Sequence, residues 1–412
     1  MKKSLYRVGL SSIGLMLASN LAVAQSSVTL YGTIDVGVNY ISNSQSRVVA
    51  GRPAGGSVWS LTDGAVRGIG GSRWGLTGKE DLGGGLSAVF QLENGFTVNT
   101  GQLNQGGAEF GQTAFVGVHA PVGTISAGRH YTPQGELMWG FSPYSMTGAF
   151  GDFFGDLDGA GRSRRANNSV RFMSETLKGF KFGALYSFGG EPGSVGSRQQ
   201  YSFALTWSGG PAAFGVGYLS ASDPNLSMFA GNANAGPFTS NNLGSIGSAT
   251  SPQLNPIYAG FASASRFESI DAGASYQFGP VKAALLLNHS AFKGLGDTSV
   301  GPNPIGYHGG AVFNGGSATL SSFIMPDLQL GAAYMYTRAG SVGGHDGATY
   351  QEWVLSTQYL FSKRTVCYLV GAYQTASGVN SIGQAAVAGN YLLTPSATSR
   401  QLVMRAGFRH NF

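Results

Sequence analysis

Residues 28–40 alternate without a break for thirteen positions. Val28, Leu30, Ile34, Val36, Val38 and Tyr40 share one phase with Gly32, while Thr29, Tyr31, Thr33, Asp35 and Asn39 share the other with Gly37. Successive side chains on a strand point to opposite faces, so this run is a strand with one apolar and one mostly polar face. The same period returns at 180–188, 270–278, 328–337 and 402–412. Soluble strands average about 5 or 6 residues, and these are about 10 to 13 long, the reach a tilted strand needs to cross a bilayer. Beyond the N-terminal leader there is no run of 18 apolar residues, so helices do not carry the chain across a membrane. Strands can do so only in a closed barrel, where no backbone polar group meets lipid unpaired.

Composition agrees with that solution. Charged residues make up 11% of the chain, against a usual share of about 25%. Such a barrel needs few charges and no large apolar core. Aromatics close the apolar faces at Tyr40, Phe278, Tyr336 and Phe412, as an interfacial girdle requires. High aromatic content excludes disorder, and 66 glycines exclude a coiled coil. A single Cys excludes a disulfide scaffold and a Cys-based metal site. The competing all-β fold, a secreted sandwich, has no use for strands this long.

Residues 1–24 read as a secretory signal peptide. Lys2, Lys3 and Arg7 are basic, 8–17 is mostly apolar, and Ala22-Val23-Ala24 is a small-residue cleavage site. Residues 25–412 then form one barrel domain. The leader carries three of the positive charges behind the formal net charge of +6, so the basic balance implies no nucleic-acid partner.

Short turns at 80–85, 121–123, 209–211, 279–280, 326–327 and 362–364 alternate with long polar loops at 42–66, 132–167, 223–265 and 376–395. That is the layout of an outer-membrane barrel. Sixteen strands fit, centred near 34, 75, 91, 116, 127, 171, 184, 204, 216, 272, 286, 317, 333, 356, 369 and 406. The run 308–325 is the weakest, because Gly309, Gly310, Gly315 and Gly316 blur it. No catalytic, metal or cofactor pattern is found. The histidines at 119, 130, 289, 308, 345 and 410 lack zinc spacing, and Gly78-Lys79 is followed by Glu80, which excludes a phosphate loop. Cys367 reads as a lone packing residue.

Five segments together carry a family resemblance: SVTLYGTID at 27–35, SRWGLTGKEDLGGGL at 72–86, GTISAGRHY at 123–131, SKRT at 362–365 and RAGFRHNF at 405–412. The chain resembles the trimeric general porins of Gram-negative outer membranes, in their β-proteobacterial branch. The resemblance implies an all-β, 16-stranded antiparallel transmembrane barrel with short periplasmic turns, long external loops and a third loop folded inward. It implies export through the Sec pathway to the outer membrane and assembly as a homotrimer. It also implies contacts with outer-membrane lipid, lipopolysaccharide and the barrel-assembly machinery. The implied function is a water-filled channel for passive diffusion of small hydrophilic solutes and ions. The alternatives are a solute-selective porin, a closed barrel acting as adhesin or structural surface protein, and an enzyme, for which no constellation is found by motif.

The third loop is expected at about 132–167. Phe150, Phe153, Phe154 and Leu157 would anchor it to the inner wall, and Asp152, Asp156 and Asp158 would present carboxylates to the pore. The resemblance also implies a basic wall opposite. Arg73 shares its phase with Gly75, Thr77 and Lys79, away from Trp74 and Leu76, and so points inward. Arg129 precedes the loop but shares phase with Ile125 and Ala127, so its inward turn requires a bulge or strand end. Arg165 stands at the loop exit, with Arg162 and Arg164 as alternatives. Thr33 stands where the family can carry a wall lysine. Arginines against three aspartates imply a weak anion preference, with structural ion pairing as the other role for each residue. Phe412 is the assembly signal implied by the family, and also the last girdle aromatic.

Overall fold

The computed structural model describes residues 27–229, 239–344, 346–389 and 393–412, with Val66 and Arg67 as backbone only. The expected leader lies outside the described residues. Antiparallel strands follow one another as β1 (Ser27–Val49), β2 (Arg52–Asp63), β3 (Arg73–Gly83), β4 (Leu86–Gly95), β5 (Thr113–Ala120) and β6 (Gly123–Tyr131). Next come β7 (Arg165–Ser174), β8 (Phe180–Ser187), β9 (Gln200–Gly209), β10 (Ala212–Ser222), β11 (Arg266–Phe278) and β12 (Val281–Leu295). The last five are β13 (Gly309–Met325), β14 (Leu328–Ala339), β15 (Thr349–Leu360), β16 (Thr365–Ser377) and β17 (Arg400–Asn411). From β3 onward each strand pairs with the next, and β17 pairs with β1, from Thr33↔Asn411 to Ile41↔Val403. The sheet therefore closes and leaves no edge.

β2 is not a seventeenth position in the wall. The lower part of β1 pairs with β3, and the upper part, from Val36 onward, pairs with β2. β2 and β3 are two storeys of one barrel strand, parted by the short helix α1 (Gly64–Arg67) and residues 68–72. The barrel has sixteen strand positions, and all sixteen expected centres fall within β1 and β3–β17.

Two expectations change. Residues 42–66 are largely a hairpin that extends β1 rather than a loop. Ala50 and Gly51 both have positive φ, 53–56 contains Pro and Gly, and that turn-like composition hid the strand. The pairing is real: Tyr40 lies opposite Trp59, with ring centroids 5.1 Å apart. The run 308–325 is not weak either. β13 is 17 residues long and paired on both sides.

Outside, bulky apolar side chains stand free, among them Leu355 at 68% and Val116 at 64% exposure. On a closed barrel that is a lipid face. Inside, one apolar cluster lies along the β10–β16 side, and includes Leu219, Phe261, Phe267, Phe292, Phe313 and Tyr350. The polar lumen is left against β1, β3–β7 and β17. At the short-turn rim, Gly32 N donates to Phe412 O at 3.1 Å and Phe412 N to Gly32 O at 3.0 Å. A Cβ at Gly32 would collide with the Phe412 ring, so the last residue is seated on the first strand.

Candidate channel constriction

The third loop begins at Thr132, whose hydroxyl accepts from Gly135 N and caps α2 (Pro133–Met138). Glycines on the inner wall make room for it. A Cβ at Gly183 would meet Pro133, one at Gly217 would meet Gln134, and one at Gly273 would meet the Phe141 ring at 2.5 Å. Glycine inside a strand marks close approach of another segment. Polar pairs then fix the loop. Gln134 Nε2 donates to Asp271 Oδ2 at 2.7 Å, Ser269 and Ser290 donate to Leu157 O at 3.1 and 2.9 Å, and Gln358 Nε2 donates to Met146 O at 2.6 Å. Phe150, Phe153, Phe154 and Leu157 are buried, and Phe154 stacks on Tyr350 of β15 with centroids 5.3 Å apart. On the far side, Ala149 N donates to Gly68 O at 3.1 Å. The loop thus spans the lumen and rests on the inward segment that parts β2 from β3.

What remains is a polar cavity of about 850 Å³, which shares Gln105, Ser163 and Arg165 with a second of about 620 Å³ on the long-loop side. Five arginines line the larger one: Arg73, Arg162, Arg165, Arg171 and Arg409. Two of them have carboxylate partners. Arg73 Nε is 3.6 Å from Glu93 Oε2, and Arg171 Nη1 is 2.7 Å from Glu136 Oε2. Arg162 instead lies 4.7 Å over the Trp139 ring and Arg165 4.6 Å over the Tyr131 ring. Aromatic faces and carbonyls orient a guanidinium without neutralising it. Arg129 lines the smaller cavity, where its Nε donates to Gly111 O at 2.9 Å. The β6–β7 register shifts between Gly128 and His130, the kind of bulge its phase required.

The sequence matches the model of the Gram-negative porin family over residues 11–379. The chain belongs to that family. It is 32% identical over 300 residues to outer membrane porin protein 32 of Delftia acidovorans, covering 71% of each chain. It is 36% identical over 193 residues to an outer membrane porin protein of Bordetella pertussis, covering 44% of this chain and 48% of the relative. The alignment thus spans about half the length of that curated relative. Among solved structures, the anion-selective porin from Comamonas acidovorans superposes with a TM-score of 0.68 at 22% identity, covering 94% of this chain and 100% of that one. As a porin, the chain is an integral β-barrel of the Gram-negative outer membrane.

Of the three loop aspartates of this porin, Asp152 is among the residues that line the larger cavity, whereas Asp156 and Asp158 line neither cavity. Asp152, Asp156 and Asp158 are 3%, 0% and 1% exposed, covered by the loop and the wall behind it. Strand parity has no counterpart in a loop, so their direction was not legible. Burial, with the neighbouring carboxyls, pushes Asp152 and Asp158 well above the usual carboxylate range. Asp156 is held by Arg164, with Nε 3.3 Å from its Oδ2 and Nη2 donating to its backbone O at 2.7 Å. Arg164 is itself mostly buried, braces the loop, and is among the residues that line the smaller cavity.

Four lumen charges of the porin went unnamed in the sequence: Glu93, Glu136, Arg171 and Arg409. Arg409 had a signal, since it shares the polar phase of the last strand with Arg405 and Asn411. Thr33 also lines the cavity and donates to Asn411 Oδ1 at 2.9 Å.

Proposed function

We propose that the chain forms a water-filled pathway for passive diffusion of small hydrophilic solutes and ions, with a preference for anions. The observation that carries this is the lining of the larger cavity, five guanidiniums against three carboxyl groups, of which Glu93 and Glu136 are paired with arginines and Asp152 is buried. A solute entering the constriction gives up part of its hydration. A polar or anionic solute recovers it from Arg162, Arg165 and Arg409, whereas an apolar one recovers nothing. Arg73 and Arg171 add positive potential beside their partners, and Arg129 extends it toward the long-loop side. Arg164 braces the loop through Asp156 from the wall of the smaller cavity. Residues 1–24 serve as the export leader and Phe412 as the assembly signal. The working unit is a homotrimer that contacts lipopolysaccharide and the barrel-assembly machinery.

The test is the reversal potential of the refolded protein in a planar bilayer under a KCl gradient. The expected sign is that of chloride, with openings grouped in threes. Replacing Arg162 and Arg165 by Ala together is expected to move the potential toward zero while the barrel stays heat-modifiable. A potassium-signed potential sinks the anion preference, and a folded barrel without conductance sinks the channel.

A further inference from the structure

The two cavities of the lumen differ in chemistry. The larger sets arginines beside Glu93 and Glu136, whereas the smaller is lined by Arg129, Arg164 and Arg165 and, among the described residues, by no carboxyl side chain. Arg129 and Arg165 come from paired strands, since Tyr131, two residues after Arg129, lies opposite Arg165. Their donors are spent on neutral acceptors: Arg129 Nε on Gly111 O at 2.9 Å, and Arg165 Nη1 on Ser163 O at 3.1 Å. Neither has a carboxylate within 4.0 Å among the described residues. Arg164 differs. Asp156 holds its Nε, and its guanidinium lies 4.7 Å over the Phe229 ring.

The rest of this lining includes an apolar patch. Met228, Phe229, Leu254 and Leu393 all contribute to it. Leu254 is 54% exposed, yet its segment is firmly held. Leu254 N donates to Ser245 O at 3.1 Å and Ser245 N to Leu254 O at 2.9 Å. On one side of it, Gln253 is buried, accepts from Gln45 Nε2 at 3.0 Å and donates to Gln384 Oε1 at 2.7 Å, which ties β1 and two long loops together. On the other, Asn255 Nδ2 donates to Leu243 O at 3.1 Å. The leucine cannot fold away from water without breaking these bonds. A pocket with a preformed apolar patch and a few convergent polar groups is the usual form of a small-molecule site.

We propose that the smaller cavity is a binding site for an organic carboxylate that carries an apolar ring. The carboxylate meets Arg129 and Arg165, since a guanidinium presents forked donors that match two carboxylate oxygens. The ring lies against Leu254 and Met228, beside the guanidinium of Arg164, a cation that attracts an aromatic face. A small inorganic anion gains nothing from the patch, and a neutral ring gains nothing from the arginines. The volume of about 620 Å³ is within the range of about 300–1,000 Å³ typical of such sites. Ser163 and Arg165 line both cavities, so a solute held here stands at the entrance to the constriction. The proposal rests on the diffusion reading of the lumen and names a solute class for it.

The test is block of the chloride current of the refolded protein in a planar bilayer, with benzoate, acetate and benzyl alcohol as probes. Benzoate is expected to block saturably, with a half-blocking concentration about tenfold below that of acetate, and benzyl alcohol not to block. Arg129→Gln is expected to raise the benzoate value about fivefold. Leu254→Ser, at an exposed position, is expected to cut the advantage of benzoate over acetate to about threefold or less. Equal block by benzoate and acetate overturns the site, and so does equal block by benzoate and benzyl alcohol. Saturation transfer from the protein in detergent to the ring protons of benzoate reads occupancy without conduction. Equal transfer in the wild type and both variants overturns the site. A barrel that does not conduct but shows transfer lowered by both variants fails as a channel and keeps the site.

Discussion

Arg162 and Arg165 owe their positions to rings and carbonyls. Trp139 and Tyr131 lie beneath them, and Arg165 Nη1 donates to Ser163 O at 3.1 Å. Their charge is left for the lumen. Asp158 shows the opposite treatment. It is buried without a hydrogen-bonded side-chain partner and faces Asp271, so it holds its proton to a higher pH in the fold than in the open chain. A raised folded value means that folding takes up a proton as pH passes the ordinary value of 3.8, and stability then falls with rising pH up to the folded value. Asp158→Asn removes that dependence. The variant and wild type are expected to unfold at the same temperature near pH 4 and to separate toward pH 8, the variant being the more stable. Thermal scans followed by gel mobility read this directly. Inward side chains were legible where a strand supplied parity, as at Arg73. At 150–164 no such period exists, and the aspartates could be placed only by the fold.

The third loop is the element that makes a wide barrel narrow, and the wall is shaped to receive it. Gly217 and Gly273 lie on the inner phase of their strands, where a side chain would strike α2 or the Phe141 ring. In the sequence such glycines look like interruptions of a strand, and at Gly315, where Phe153 packs, they made β13 look weak. Their meaning depends on a partner about 80 to 160 residues away, which no local pattern carries. Gly273→Leu is expected to push the loop off β11, raise single-channel conductance and reduce selectivity, while the barrel still resists SDS before heating. Unchanged conductance would mean that the loop does not set the bore. The β1–β2 hairpin escaped notice for a related reason. Its pairing is strong, but Pro53, Gly55 and Gly56 carry the composition of a loop.

At the scale of the molecule, closure of the barrel converges on one side chain. Arg405 is fully buried in the β17–β1 seam. Its Nη2 is 3.0 Å from Asp35 Oδ1, Nη1 donates to Asn39 Oδ1 at 3.0 Å and Thr62 Oγ1 at 2.9 Å, and Nε donates to Tyr368 OH at 2.6 Å. One guanidinium thus joins β1, β2, β16 and β17. Removing one partner of a buried pair costs about 3–5 kcal/mol. Arg405→Met is therefore expected to lower the temperature at which the barrel loses its compact gel mobility, and an unchanged transition would show that the seam holds without it. Sixteen positions and their order were legible because period two repeats through every strand. The division of the interior into a filled side and a wet side was not, because it is made by loops.

That division has a consequence for transport. At about 0.1 M salt the field of a charge reaches about 10 Å, so Arg162, Arg165 and Arg409, with no carboxylate within 4.0 Å among the described residues, keep mobile anions beside them even when nothing is being carried. The lumen is then less a hole than a small bed of ion exchanger. An arriving anion takes the place of one already resident, and throughput levels off with concentration at the rate at which residents hand over their places.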